Sequence, residues 1–534
     1  MKKAGNILLL LVIVLMFHNC AKRGTPQGGP IDIEPPRFVR ANPENFSTNF
    51  NSDEIRILFN EYIKLNEAQR QIIISPPMDP RPEITPMGTA SKSVRIRIND
   101  TLQPNTTYTI NFGRSIVDNN EGNPLDFFQY VFSTGSYIDS LSISGVVTDA
   151  YLAQPDPFIS VMLYEVDSTY SDSVVYKETP RYITNTLDST FFQLNNLKEG
   201  TYQMVAIRDD NNNYQFDPKN EKIAFLKEFI TVPTDSLFEL NLFKEIPAFS
   251  TTRPAQIAKQ HLVFGYTGKL DRDSVQINMI SPTPEGFISR ITKDPAKDTL
   301  HYWYKPLIES DSLRFIAEAP QVKDTLFVRR REMDNDSLTF SFDPSGTLAF
   351  NRNLVILPTI PLENINDSLI NVFRSDSIPV EFTTRHEAFE NRLVLEFEKE
   401  ESSSYKFMAL PGAFTDFFGT QNDTIEQSFR TPSYSDFGSA IVNLQDVEQY
   451  PVILQLTNEQ GEVQSSKYIE SGTNFTFQYL KAGTYLLRAI YDTNKNGIWD
   501  TGNYLEKEQP EEIIYFPDLL DIRANWDQTY VFPL

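Results

Sequence analysis

Phe192-Gln193-Leu194-Asn195-Asn196-Leu197-Lys198-Glu199-Gly200-Thr201-Tyr202 recurs further along the chain as Phe475-Thr476-Phe477-Gln478-Tyr479-Leu480-Lys481-Ala482-Gly483-Thr484-Tyr485. The match runs on through Ala206-Ile207 and Ala489-Ile490 into an Asp/Asn loop, at a constant offset of 283 residues. Each copy alternates apolar and polar residues up to Leu-Lys-x-Gly and then opens a second apolar run. That pattern predicts strand, tight turn and strand, a β-hairpin that must pack its Phe, Leu and Tyr face on a second sheet. One sandwich-type unit is therefore present twice.

Outward from the repeat the texture stays the same. Ile55-Arg56-Ile57-Leu58-Phe59, Val94-Arg95-Ile96-Arg97-Ile98 and Tyr108-Thr109-Ile110-Asn111-Phe112 alternate with period two, and Asn, Asp, Gly and Pro punctuate such runs throughout. The best helical candidate, Glu67 to Gln71, is too short to matter. A weaker repeat links Tyr108, Ile116-Val117-Asp118, Gly122-Asn123 and Phe132-Ser133-Thr134 with Tyr405, Ala413-Phe414-Thr415-Asp416, Gly419 and Phe429-Arg430-Thr431. One type of sandwich is followed by another, and both return. With 534 residues there is room for several domains, expected at 36–136, 137–245, 246–345, 346–433 and 434–534.

Lys and Arg number 48 against 71 Asp and Glu, a formal net charge of -23, which removes the electrostatic attraction on which nucleic-acid binding depends. DNA and RNA are excluded as partners on this ground. Hydrophobic residues at 40% are enough to build cores. Four His and one Cys exclude a disulfide framework within the chain and leave little for Cys/His metal sites.

The one cysteine bears on location. Lys2 and Lys3 precede an apolar run over 7–17, and Cys20 follows closely. Eleven residues cannot span a bilayer core of about 30 Å but suit the core of an export signal. Residues 1–19 are expected to be a lipoprotein signal peptide and Cys20 the lipidated residue, whose several acyl chains would give stable membrane anchoring. The flank Phe17-His18-Asn19 departs from the usual lipobox, which has Leu first and small residues after it. Residues 20–35 are Gly/Pro-rich and read as a tether. Ala21, not Asp, follows Cys20; under the sorting rule known for other bacteria this points to the outer membrane, at its periplasmic face or the cell surface.

Leu102-Gln103-Pro104-Asn105-Thr106-Thr107-Tyr108, Asp118 with Gly122-Asn123, and Phe132-Ser133-Thr134-Gly135 resemble a bacterial Ig-like domain of the SbsA type, with a more divergent second copy at 346–433. Ile143-Ser144-Gly145-Val146-Val147 with Lys198-Glu199-Gly200-Thr201-Tyr202 resembles a transthyretin-like or carboxypeptidase-regulatory-like β-sandwich. Together with Cys20 and the tether, the chain is similar to Ig-like-domain lipoproteins of Bacteroidetes-type bacteria. The resemblance implies an all-β fold, tandem Ig-like and transthyretin-like β-sandwiches in an elongated multidomain chain. It implies no activity.

Three sets of residues could carry chemistry. Asp209, Asn211, Asn213 and Asp217, and in the second copy Asp492, Asn494, Asn496 and Asp500, place oxygens at positions 1, 3, 5 and 9 of an EF-hand-like loop. Ca²⁺ is the expected ligand, with an extracellular-grade affinity on the order of 10⁻⁴–10⁻³ M because position 12 is Asn220 or Asn503, not Glu. The alternative is a loop of Asx turns that needs no metal. Asp followed by Ser or Thr and then Ala, Ile, Leu, Val, Met or Thr occurs 14 times, against about one to three for average composition. This resembles an O-glycosylation signal of exported Bacteroidetes-type proteins, with Ser140, Thr299, Ser337 and Thr424 as examples; turn ends that lead into strands would give the same pattern. Trp303, flanked by Tyr302 and Tyr304, is a candidate aromatic platform for sugar or peptide; the alternative is that one face of this strand is simply core.

Catalytic residues are not expected. His261, His301 and His386 stand far apart in sequence, and His386-Glu387-Ala388-Phe389-Glu390 lacks the second His of a zinc-protease helix. The expected function is a non-enzymatic outer-membrane lipoprotein, a scaffold or protein-binding arm whose partner is the membrane and an envelope or outer-membrane protein. The alternative is binding or processing of carbohydrate at the cell surface.

Overall fold

A computed structural model describes residues 31–270, 275–319 and 322–534. The chain divides into two compact units, one up to Ser140 and one from Leu141. Strands dominate both, and among the described residues the α-helices are the single turns Ala68–Gln71 and Val174–Lys177. The all-β reading holds.

In the first unit, strand Glu54–Leu65 pairs with Phe38–Asn42, Ser91–Arg97 and Ile116–Asp118 to make one sheet, and Ile73–Ser75, Thr107–Asn111 and Gln129–Ser133 make the facing one. The period-two pattern explains the layering, because Ile55, Ile57 and Phe59 point inward while Glu54, Arg56 and Asn60 face water. They meet Val94, Ile96, Tyr108, Ile110 and Phe132 in one core.

The second unit contains four sandwiches. In the first of these, Leu141–Asp149 lies between antiparallel Phe191–Leu197 and parallel Leu237–Leu242, facing a sheet built on Ser160–Glu165 and Gly200–Ile207. The last sandwich repeats this, with Phe437–Gln445 between Asn474–Lys481 and parallel Asp527–Pro533, facing Val452–Thr457 and Gly483–Tyr491.

The expected hairpin is not there. Phe191–Leu197 and Gly200–Ile207 belong to different sheets, as do Asn474–Lys481 and Gly483–Tyr491, so the Leu-Lys-x-Gly segment crosses the core rather than turning within one sheet. Asn196 and Tyr479, equivalent by the repeat, both hold left-handed φ (58° and 57°) in a bulge of the ladder, and Leu197 and Leu480 then pair again with the same neighbouring strands before the chain changes sheet. The inward face of each pair then closes on itself, Phe192 and Leu194 against Tyr202, Met204 and Ala206.

Between these repeats lie two further sandwiches. One pairs His261–Thr267 with Thr299–Lys305 opposite Ser312–Ala319 and Val322–Arg329; the next pairs Leu354–Pro358 with Arg392–Phe397 opposite Ser404–Ala409 and Ile425–Arg430.

Candidate functional site

The two Asp/Asn loops fold alike. Asp209 Oδ1 accepts the amide of Asn213 (3.1 Å) and Oδ2 that of Tyr214 (2.9 Å); Asp492 does the same for Asn496 (3.1 Å) and Gly497 (2.7 Å). The fourth and sixth loop positions are left-handed in both copies, Asn212 and Tyr214 in one, Lys495 and Gly497 in the other. Each loop is also clamped by a buried glutamate. Glu221 accepts the amides of Asp210 (3.2 Å) and Asp217 (2.9 Å), and Glu511 accepts those of Thr493 (2.7 Å) and Asp500 (3.2 Å). Burial pushes the Glu221 carboxyl above its ordinary range, against the pull of those two amides. Glu511 escaped the sequence reading because the offset between the copies grows from 283 to 290 within this loop. Asn494 and Asn496 turn their amide nitrogens to Asp500 Oδ2, and Asn213 Oδ1 accepts from Gln215, so hydrogen bonds within the protein already occupy these side chains. Among the described residues no group of three or more His, Cys, Asp or Glu converges as a metal cage.

The extra residues of the second loop dock on the first repeat. Tyr504 is fully buried, its amide donating to Glu245 Oε1 (2.6 Å) and its ring packed edge-on against Phe225 (5.1 Å). Lys507 pairs with Asp172 (2.5 Å), and Gln509 donates to the Phe225 carbonyl (2.9 Å). Beside them Arg488, fully buried, donates to Gln455 Oε1 and to the Tyr151 carbonyl (2.8 Å). Tyr151 is presented by a turn in which Asp149 Oδ1 accepts the amides of Tyr151 and Leu152, while Asp149 Oδ2 and Asp156 hold Lys222. Burial draws the Lys222 ammonium down, but the two carboxylates outweigh it and hold it above its ordinary value.

The structure brings together histidines that are far apart in sequence. Asp336 Oδ2, His261 Nδ1, His261 Nε2, His301 Nδ1, His301 Nε2 and Asp294 Oδ2 form a chain with steps of 2.8, 2.8 and 3.2 Å. Because both ends are carboxylates, all three bonds are made only when the four ring nitrogens carry three protons. The signal was register: His261 pairs with Trp303 and Val263 with His301 on neighbouring strands. His386 lies apart on Phe382–Glu387, a strand rather than a helix. Trp303 is stacked on His261 (3.4 Å between centroids) and packs on Ile360 and Phe417 of the next sandwich. It is 1% exposed, and Tyr302 and Tyr304 no more so. No aromatic platform is presented, and the core alternative holds: one face of this strand fills its own core and the other an inter-sandwich seam.

The remaining sequence-derived sites stand apart from one another. Ser140, Ser337 and Thr424 are exposed and Thr299 is half-buried; Thr299 opens a strand, Ser140 and Thr424 immediately precede one, and Ser337 lies three residues before Phe340–Asp343. Cys20, with residues 1–19 and 20–30, lies outside the described residues.

The first sandwich carries the family match: residues 32–134 match the bacterial Ig-like domain family. No curated protein matches the chain. Similar solved structures include surface layer protein SbsC, domains 1-6, at 10% identity and TM-score 0.17, covering 91% of this chain and 67% of that one. The major pilin subunit of Bacillus cereus, BcpA, is similar at 11% identity and TM-score 0.14, covering 74% and 99%. An I-band fragment of titin is similar at 10% identity and TM-score 0.12, covering 46% and 94%.

Proposed function

We propose that this chain is a non-enzymatic lipoprotein, held at the outer membrane through Cys20, that serves as a scaffold or protein-binding arm of the envelope and docks on an outer-membrane protein complex. One observation carries the reading: the chain's single cysteine stands three residues after a short apolar export-type segment, and the described residues from 36 on fold as β-sandwiches. Such modules present edges and loops for protein contact. Carbohydrate binding is not carried forward, because Trp303 is buried. O-glycans on Ser140, Ser337 and Thr424 are proposed on the same footing, their hydroxyl-bearing residues being exposed; intact mass of native material should show added hexose. The test of the main reading is metabolic labelling with palmitate followed by detergent phase separation and crosslinked pull-down. Label retained by the wild type, lost in Cys20→Ser, and a co-purifying outer-membrane protein are expected. A mature chain that begins elsewhere, or that stays in the aqueous phase, refutes it.

A further inference from the structure

The outer face of the first sandwich's larger sheet carries a row of arginines. Strand Phe38–Asn42 supplies Arg40, Glu54–Leu65 supplies Arg56, and Ser91–Arg97 supplies Arg95 and Arg97; all four are exposed. Alternation fixes the side on which they stand. Ala41, Ile55, Ile57, Val94 and Ile96 lie between them in sequence and pack in the core, so the arginines project from the opposite face. Across the ladder Arg56 is level with Arg95, Arg40 with Leu58, and Arg97 with Glu54 on one side and Glu83 on the other.

Folding alone does not account for this arrangement. Like charges directly opposite on neighbouring strands destabilise a sheet, and Arg56 and Arg95 are so placed. Arg95 makes the ion pair of this face, 3.4 Å from Glu54. Among the described residues no carboxylate lies within ion-pair distance of Arg40, Arg56 or Arg97, in a chain with 71 acidic residues against 48 basic ones. The positions between them, Asn42, Leu58, Ser93 and Thr85, are uncharged. Even with Glu54 and Glu83 both set against the four arginines, the face stays cationic.

The occupant is selected by chemistry and by place. Guanidinium groups take phosphodiester oxygens bidentately, and an open sheet face can meet an array of anionic headgroups at several points at once. Salt screens charges beyond about 8–10 Å, so this face responds to its own excess of cations and not to the net charge of -23. Its edge strand opens at Phe38, the first strand after the tether, and the covalent length of residues 21–37 holds it within about 60 Å of Cys20. We propose that the arginine face lies on anionic phospholipid of the leaflet that holds Cys20, an assignment that takes the leaflet from the lipoprotein reading above and the chemistry from the face itself. The anchor supplies proximity, so the contacts need only orient the first sandwich.

The test is flotation of the full chain as Cys20→Ser, which bears no acyl chain, with phosphatidylcholine vesicles with and without about 30% phosphatidylglycerol. The neutral vesicles report what the apolar 7–17 run contributes. Partition about tenfold or more higher on anionic vesicles is expected, falling to the neutral level in about 0.5 M NaCl. Arg56→Gln/Arg95→Gln should remove about tenfold or more of that partition, and Arg40→Gln/Arg97→Gln should do likewise, which keeps the test decisive if one of the pairs loses its native circular dichroism. Lys198→Gln/Lys227→Gln, which takes two exposed charges from the second sandwich, should change nothing. Equal partition on the two kinds of vesicle, or equal losses in face and control variants, would overturn the assignment and leave an acidic protein surface as the occupant. Because acylation is absent throughout, neither result bears on Cys20, and a failure of palmitate labelling would leave this measurement valid.

Discussion

The Arg488 guanidinium sits 4.1 Å from the centre of the Tyr151 ring, although 337 residues separate the two in sequence. The two repeats that the sequence places far apart are thus joined through a buried cation that also bridges the Tyr151 carbonyl and Gln455 Oε1. Arg488→Ala leaves Gln455 Oε1 without these donors and the carbonyl with only the Tyr515 hydroxyl, so a loss of about 2–4 kcal/mol is expected in urea unfolding. Arg488→Lys should recover little, because one ammonium cannot serve both acceptors and the ring in the same geometry. Tyr151→Leu keeps the backbone carbonyl and should lose about 1–2 kcal/mol, the share of the ring alone.

The strands, their inward faces and the paired loops could be read from residues, since period-two alternation survives in Glu54–Leu65 as a buried/exposed alternation. Strand partners were less legible. The segment around Leu197 reads as a hairpin because alternation cannot say whether a turn stays within a sheet or crosses between two; that is decided by which strands Phe191–Leu197 and Gly200–Ile207 pair with, Leu141–Asp149 for one and Ser160–Glu165 for the other. The same holds for His261 and His301, which meet only through the register of neighbouring strands. Asp416 is legible as the counterpart of Asp118, but that its Oδ2 lacks the amide which Asp118 Oδ2 receives from Asn123 depends on a loop one residue shorter.

Acid should loosen the third sandwich before it affects carboxylates. Burial of His261 outweighs both the pull of Asp336 and the hydrogen bond to His301 that a third ring proton would complete, and with the His301 charge adding to the depression it holds His261 below its ordinary value. The unfolded chain therefore takes up the proton first, and stability is lost as pH falls below about 6.5 towards the lower folded value. The limiting slope is about 1.4 kcal/mol per pH unit for one proton. Melting temperatures from pH 7.5 to 5 should decline in the wild type and flatten in His261→Gln over the same range. An equal decline in both would assign the effect to other groups.

Gly145 is a packing position. It pairs with Phe192 on one side and Phe238 on the other, and a Cβ there would lie 2.2 Å from the Phe238 carbonyl and 2.6 Å from the Phe192 ring. Gly145→Ala must separate the parallel strand Leu237–Leu242 from its neighbour or turn Phe192 out of the core, and about 1–3 kcal/mol of destabilisation is expected. Gly286→Ala, where no atom lies within 4 Å but φ is 76°, is the contrasting control: it should show backbone strain alone, about 1 kcal/mol. Chemical denaturation of the two variants side by side measures the difference.

Calcium remains a proposal for the two Asp/Asn loops, and the geometry sets how large its effect can be. The left-handed residues at the fourth and sixth positions already give the backbone turn that a cation loop requires, so binding asks only for side chains to rotate. Against that, Asn494 and Asn496 must exchange their bonds to Asp500 for oxygen ligation, and Glu511 must release loop amides to contribute. Affinity should therefore be millimolar, and 10 mM Ca²⁺ at a Kd of about 1 mM would add about 1.4 kcal/mol for one site. A rise in melting temperature in 10 mM Ca²⁺, reversed by EDTA and reduced in Asp500→Ala, is the expected result. Curves that coincide in Ca²⁺ and EDTA would show that Glu221 and Glu511 close these loops by hydrogen bonds alone.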